Sequence, residues 1–165
     1  MANKFFYDTE FIEYPGTIDL ISIGVVDEYG NEFYAISNEF NESKASDWVK
    51  DNVISKLPPR TSRHWMSRKE IKEALLEFIE PSIERQIELW AYYADYDHVV
   101  LCWLFGTMMD LPESMPMYTK DIKQLCDSLG NPKLPEQKTG EHDALADARW
   151  NKIAYDYLMK TIDDE

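Results

Sequence analysis

Basic residues are scarce in this sequence. Its 165 residues include 17 Lys and Arg against 31 Asp and Glu, which gives a formal net charge of −14 at pH 7. Proteins that hold nucleic acid along its length usually do so with a basic face. The composition therefore argues against a broad phosphate-binding surface. A site that binds only the end of a nucleic acid strand is compatible with this charge, because bound divalent cations can supply positive charge locally.

Cysteine is nearly absent, since Cys102 and Cys126 are the only two. Both lie in apolar, helix-like stretches, and their spacing matches neither a disulfide framework nor a metal site. The sequence also has no apolar run long enough to cross a bilayer, and its first residues lack the pattern of a secretion signal. We therefore expect a cytoplasmic protein with reduced thiols and no membrane association.

Core-forming residues, in contrast, are plentiful. Apolar residues make up 44% of the chain and aromatic residues 13%, which is too many for a disordered protein. The length suits one compact domain without covalent staples. We expect a single domain over residues 1–165 with one active site.

The order of the predicted elements indicates an α/β fold. Short turns separate three predicted strands, at 4–11, 18–26 and 31–37. Two more strands are predicted at 87–93 and 115–118, and helices are predicted within 43–53 and over 68–79, 97–105, 119–126 and 143–160. A meander followed by alternating helices and strands implies a mixed five-stranded sheet flanked by helices, which is a ribonuclease H-like arrangement.

Two acids end the hydrophobic run of the first strand. Asp8 and Glu10 are two residues apart, so the strand period directs both carboxylates to the same side. Such neighbours repel each other, and a bound cation normally offsets that cost. A solvated strand end would give the same pattern, so the pair alone does not identify a metal site.

Three further candidates lie later in the chain. Asp97 opens an apolar helix, where an acid can also serve simply as a helix cap. His142 precedes the last helix and Asp147 lies in its early turns. The small residues Ala144 and Ala146 would let this helix approach the sheet closely. A histidine in a surface loop would look the same in sequence.

In combination, these motifs resemble the DEDDh family of 3′→5′ exonucleases. An Asp-x-Glu on the first strand, an Asp opening a middle helix and a His-x4-Asp at the last helix follow the order of that family. Nearly the whole chain looks like the polyadenylate-specific 3′-exoribonucleases of the ribonuclease AS type, on the segments 6–13, 18–26, 56–59, 96–99 and 142–145. Phe11 and Ile12 depart from the Thr and Gly that many DEDDh enzymes carry after the first Glu, and Tyr92 and Tyr93 replace a His-Asn pair.

The resemblance implies an enzyme that releases 5′-mononucleotides from the 3′ end of single-stranded RNA, with a preference for poly(A). Asp8, Glu10 and Asp147 would hold one Mg²⁺ or Mn²⁺ ion, and Asp8 and Asp97 would contribute to a second. His142 would take the proton from the attacking water. The resemblance also implies a homodimer.

Substrate contacts and rival functions remain open at this level. Phe11 is a candidate platform for the terminal base, and Arg63 and Arg68 are candidates for phosphate contacts. Core packing for Phe11 and a solvated helix start for the two arginines are the alternatives. A DNA 3′→5′ exonuclease with the same five catalytic residues and a non-catalytic acidic binding module on the same fold are the rival functions. A dedicated Ca²⁺ protein ranks last, because the loop pattern of such sites is missing.

Overall fold

A three-stranded antiparallel meander forms the centre of the sheet in this computed structural model, which describes residues 2–82 and 85–164. Its strands are β1 (Lys4–Tyr14), β2 (Thr17–Asp27) and β3 (Glu32–Ser37). Gly16 closes the tight β1–β2 turn with φ = +88°, a conformation that glycine adopts without strain. The meander predicted from the sequence is confirmed.

Three short strands extend the sheet on both sides. β4 (Trp65–Met66) pairs with β3, β5 (Glu88–Ala91) pairs with β1 and β6 (Lys120–Asp121) pairs with β5, all in parallel. The mixed sheet has the strand order β4-β3-β2-β1-β5-β6. It therefore has six strands where five were predicted, because two-residue β4 is too short to show a period. The strand predicted at 115–118 is also wrong, since β6 begins at Lys120.

Within the described residues, five α-helices flank the sheet: α1 (Asp47–Asn52), α2 (Arg68–Ile79), α3 (Asp95–Phe105), α4 (Ile122–Ser128) and α5 (Ala144–Asp163). Ser67 and Glu70 form a capping box at the start of α2, the helix predicted over 68–79. The predicted start of α4 at residue 119 is wrong, since the helix begins at Ile122. Asp121 caps this helix, and the Thr119 hydroxyl instead lies 2.6 Å from the hydroxyl of Tyr7.

The two faces of the sheet bury separate apolar cores. Phe5 and Tyr7 of β1 face a core that includes residues of α2 and α3. Phe6, between them, faces the opposite core, which includes residues of α4 and α5. The strand period thus places helices on both faces, and it directs Asp8 and Glu10 to the same face as Phe6. Among the described residues, no helix is both long and apolar enough to cross a membrane.

Candidate active site

The first turn of α5 rests directly on the sheet at Gly24. Across neighbouring strands, Gly24 pairs with Asp8 of β1 on one side and with Tyr34 of β3 on the other. A Cβ atom at Gly24 would lie 2.4 Å from Cα of Leu145 and 2.5 Å from the carbonyl oxygen of Ala144. Only glycine therefore allows this approach, which carries the first turn of α5 to the level of Asp8. The close approach was predicted from Ala144, whereas the role of Gly24 was missed.

A buried asparagine fixes α5 one turn further along. Nδ2 of Asn151 donates a hydrogen bond of 2.9 Å to the carbonyl oxygen of Tyr7, the residue before Asp8. Asn151 is only 2% exposed, so the bond is shielded from water. Asp147, four residues earlier, is thereby held on the face of α5 that meets β1.

Three carboxylates meet at this junction. Asp8, Glu10 and Asp147 each offer an oxygen atom, and the three atoms lie within 4.8 Å of one another. Oδ2 of Asp8 is buried and has no hydrogen-bond partner in the part of the chain that the structure describes. A buried carboxylate oxygen without a partner is costly unless a cation or a proton compensates it. A set of carboxylate oxygens suits hard divalent cations such as Mg²⁺ and Mn²⁺.

Asp97 joins these acids from α3. It lies in the first turn of that helix, but Ala94 occupies the N-cap position and makes no side-chain cap bond, so helix capping does not explain Asp97. The backbone N–H of Thr9 donates a 3.0 Å hydrogen bond to Oδ1 of Asp97, and the Thr9 hydroxyl binds the same oxygen. These bonds hold Asp97 against β1, between the positions of Asp8 and Glu10. We call Asp8, Glu10, Asp97 and Asp147 together the acidic cleft.

Burial raises the pKa of all four acids. Burial, followed by the charge of Asp97, raises the pKa of Asp8 well above its usual range. Burial and then the charge of Asp147 raise the pKa of Glu10 to about 8. Burial raises the pKa of Asp97 to about 6, although the hydrogen bonds from Thr9 oppose this shift. Burial also raises the pKa of Asp147. Without a cation, the acidic cleft therefore resists full ionisation at neutral pH.

His142 and Gln137 flank Asp147. The backbone N–H of His142 donates to Oδ2 of Asp147 at 3.2 Å, and Nε2 of Gln137 donates to Oδ1 at 2.7 Å. His142 has φ = +67°, which is uncommon for any residue except glycine and often marks a functional position. Its ring packs edge-on against Trp48, with 4.8 Å between ring centroids. Sequence reasoning missed Gln137, because it lies in an irregular segment with no periodic pattern.

The candidate substrate residues differ in where they lie relative to the four acids. Phe11 follows a β-bulge after Glu10 and packs edge-on against Tyr96, at 6.0 Å between ring centroids. Arg63 is exposed in the segment before β4. Arg68 forms an ion pair with Asp19 in a separate groove. The structure thus gathers the five predicted catalytic residues at one place and does not bring either arginine to them.

Comparison with known proteins agrees with this geometry. Residues 3–159 match the family model of the 3′-5′ exoribonuclease Rv2179c-like domain. Two 3′-5′ exoribonucleases of Mycobacterium tuberculosis, from strains CDC 1551 / Oshkosh and H37Rv, are each 49% identical to this chain over 161 residues. The alignment covers 98% of this chain and 95% of each relative.

The fold is also found among solved structures. A chain in the structure of the yeast NOT1 MIF4G domain co-crystallized with CAF1 superposes with a TM-score of 0.53 at 15% identity. The match covers 98% of this chain and 81% of that chain, and at this identity it speaks for the fold alone. The family model and the two exoribonucleases match this chain in sequence. Their alignments cover nearly all of the chain, including the four residues of the acidic cleft. This protein therefore belongs to the family of 3′-5′ exoribonuclease Rv2179c-like domains.

Proposed function

We propose that this protein is a divalent-metal-dependent 3′→5′ exoribonuclease that releases 5′-mononucleotides from single-stranded RNA. One observation carries the proposal beyond family membership: the unpartnered, buried Oδ2 of Asp8 lies within a cluster of three carboxylates. A purely structural cluster would be expected to pair or solvate that oxygen.

The four acids suit two metal ions. Asp8, Glu10 and Asp147 would hold one Mg²⁺ or Mn²⁺ ion, and Asp8 and Asp97 would contribute to the second. Such ions, when bound, supply positive charge to the phosphate, to the attacking water and to the leaving oxygen. Thr9 would keep Asp97 oriented, and Gln137 would do the same for Asp147, because each already donates a hydrogen bond to that carboxylate.

His142 is the proposed general base. A neutral imidazole can accept the proton of the attacking water, whereas a carboxylate committed to a cation cannot readily do so. The backbone of His142 is tied to Asp147, and His142 lines the same cavity as Asp8. The base and the metal-binding acids are therefore held in one local structure.

The finer points of the proposal rest on the sequence resemblance. They are the preference for poly(A), the homodimer, the cytoplasmic location, and roles for Phe11 as a stacking platform and for Arg63 and Arg68 at phosphates. Arg68 would first have to release Asp19. The strand order supports a ribonuclease H-like arrangement, because an antiparallel meander continues into parallel strands with helices on both faces.

Metal-dependent digestion of matched oligonucleotides tests the proposal. We expect oligo(rA) with a free 3′ end to be shortened with Mg²⁺ or Mn²⁺, and to survive with EDTA or with a blocked 3′ end. His142→Ala removes the proposed general base, so it should lower the rate of hydrolysis by roughly 10² to 10⁴-fold. Trp103→Ala, on the outside of α3, is the matched control and should keep the wild-type rate.

Two results would contradict the proposal. Faster loss of oligo(dA) than of oligo(rA) would indicate a DNA exonuclease. Equal rates for the wild type, His142→Ala and Asp147→Asn would indicate a non-catalytic binding module and a contaminating nuclease.

A further inference from the structure

The acidic cleft continues into an apolar, aromatic hollow. The whole cavity measures about 580 Å³, and Asp8 and Asp147 are among the residues that line it. The remainder of its wall includes the side chains of Tyr92, Leu134, Pro135 and Trp150. None of these four has a role in the chemistry proposed above. We call them the aromatic wall.

The aromatic wall is rigid before any ligand arrives. The rings of Tyr92 and Trp150 meet edge to face, with 5.1 Å between centroids and an interplanar angle of 89°. Nε1 of Trp150 donates a 2.8 Å hydrogen bond to the carbonyl oxygen of Pro135. Both rings are thus fixed by a neighbour, so a ligand that stacks there would lose little binding energy in ordering them.

The charges around the cavity determine which part of a substrate can enter it. Among the described residues that line it, none is Lys or Arg, and Glu136 and Glu141 add negative charge to that of the acids. A phosphate would be repelled from such a wall. A flat, uncharged ring is accepted, because it stacks on aromatic faces without needing a counter-charge.

Two lysines lie just outside this cavity. Lys56 and Lys138 line a neighbouring depression that shares Gln137 and Glu141 with it. The cavity with the aromatic wall thus has no basic side chain among its described lining residues, whereas the neighbouring depression has two lysines. This is the division expected where a nucleic acid strand presents its base to one side and its phosphates to the other.

We propose that the aromatic wall is a nucleobase subsite, in which the base of the 3′-terminal nucleotide stacks on Tyr92 and Trp150. The ribose would extend from the wall toward Asp8 and Asp147, where the scissile phosphate is cleaved. Phe11, the candidate platform for the terminal base in the sequence, packs on Tyr96 and does not line this cavity. This inference rests on the proposed exoribonuclease function.

The subsite is tested by removing the 3′-terminal nucleobase from the substrate and the aromatic ring of Tyr92 from the enzyme, separately and together. The two substrates are a short oligoribonucleotide and the same strand with an abasic ribose at its 3′ terminus. For the wild type, we expect the abasic end to lower kcat/KM by roughly 5- to 150-fold, the range that stacking of one base provides. For Tyr92→Ala, we expect a comparable loss on the intact strand and almost no further loss on the abasic strand.

Three variants make the result specific. Tyr92→Phe keeps the ring and should restore the wild-type penalty for the abasic end. Tyr92→Leu keeps the packing volume beside Trp150, loses the ring, and replaces Tyr92→Ala if that variant does not fold. Trp103→Ala removes an exposed tryptophan from a different groove and should keep the full penalty.

The subsite and the exoribonuclease function fail in different ways. Equal abasic penalties in the wild type, Tyr92→Ala and Tyr92→Leu would overturn the subsite and leave the exoribonuclease intact. Absence of metal-dependent hydrolysis of the intact strand by the wild type would overturn both.

Discussion

Two grooves of this molecule gather carboxylates, and they differ in how those carboxylates are satisfied. In the acidic cleft, Oδ2 of Asp8 is buried and unpaired within the described part of the chain. In the second groove, lined by Asp19, Glu39 and Arg68 among others, the guanidinium of Arg68 binds Asp19. The other oxygen of Asp19 accepts a hydrogen bond from the backbone N–H of Asn41 at 2.9 Å, and Glu39 accepts one from the N–H of Arg68. We call this the Asp19–Arg68 groove.

The comparison shows that clustering of acids does not by itself indicate function. The Asp19–Arg68 groove satisfies its carboxylates with a guanidinium and with backbone N–H groups, as structural acids normally are. The acidic cleft holds four acids whose pKa values are all raised, mainly by burial. The unpartnered, buried oxygen of Asp8 creates a demand for external positive charge, and such a demand is expected of a metal site.

The largest contrast is expected between Asp8→Asn and Asp19→Asn. Asp8→Asn removes a proposed ligand of both ions and should lower metal-dependent hydrolysis on the order of 10²-fold or more. It should also raise the melting temperature of the metal-free protein at pH 8, because a buried charge and its repulsion disappear. Asp19→Asn should change hydrolysis little and lower the melting temperature slightly. A mononucleotide-release assay measures hydrolysis, and thermal unfolding measures the melting temperature. A fall in melting temperature for Asp8→Asn would contradict the expected difference between the two variants.

Gly24→Ala tests how the acidic cleft is assembled. The added methyl group would overlap the backbone of Ala144 and Leu145, so α5 must shift and carry Asp147 away from Asp8. We expect a loss of stability of about 1–3 kcal/mol, as for other overpacked sites. The rise in melting temperature on adding Mg²⁺ should shrink as well. Gly24 does not line the Asp19–Arg68 groove, so that groove should be unaffected. If Gly24→Ala kept the full rise in melting temperature with Mg²⁺, the position of α5 would not determine the geometry of the acidic cleft.

The pH dependence of stability should reveal the unpaired acids. The folded-state pKa of Glu10 is about 8, against 4.5 for the free side chain. Between these values the folded state binds more protons than the unfolded state, so the free energy of unfolding falls as pH rises. The penalty is absent below about pH 4.5 and complete above about pH 8.

Thermal unfolding of the metal-free protein from pH 5.5 to 8.5 measures this effect. We expect the melting temperature to fall across the window, Mg²⁺ to restore it most at the alkaline end, and Asp8→Asn to flatten the slope. A melting temperature that rises with pH in the metal-free wild type would contradict the raised pKa values.

The sequence could predict the acids but not the residues that bring them together. Asp8 and Glu10 were recognisable because strand periodicity places them on one side, and His142 and Asp147 because they flank the start of a long helix. Gly24 gave one faint signal, a glycine inside a β-branched strand, which often marks close approach of another backbone. Asn151 gave none, because its partner Tyr7 lies far away along the chain. Gln137 gave none, because it lies in an irregular segment with no periodic pattern.

Competition between local signals explains the errors in the fold. Thr119 and Asp121 are both good N-cap residues, and tertiary contacts decided between them. The hydroxyl of Thr119 is taken by Tyr7 and by His98, at 2.6 and 2.9 Å. The carboxylate of Asp121 instead accepts from the backbone N–H of Lys123, at 2.8 Å. Helix α4 therefore begins later than its sequence suggests, and β6 precedes it directly.

The smallest expected effect belongs to Arg68→Ala in the Asp19–Arg68 groove. The side chain of Arg68 is 45% exposed, so water screens its ion pair with Asp19 and the loss of stability should be about 1 kcal/mol or less. The kinetics carry more information than the stability. If Arg68 also binds substrate phosphate, Arg68→Ala should raise KM at low salt. Asp19→Asn should lower KM, because it frees the guanidinium of Arg68. Both effects should fade at high salt. A KM unchanged in both variants at low salt would show that the pair is structural, because an arginine that exchanges between a carboxylate and a phosphate must respond to loss of the carboxylate.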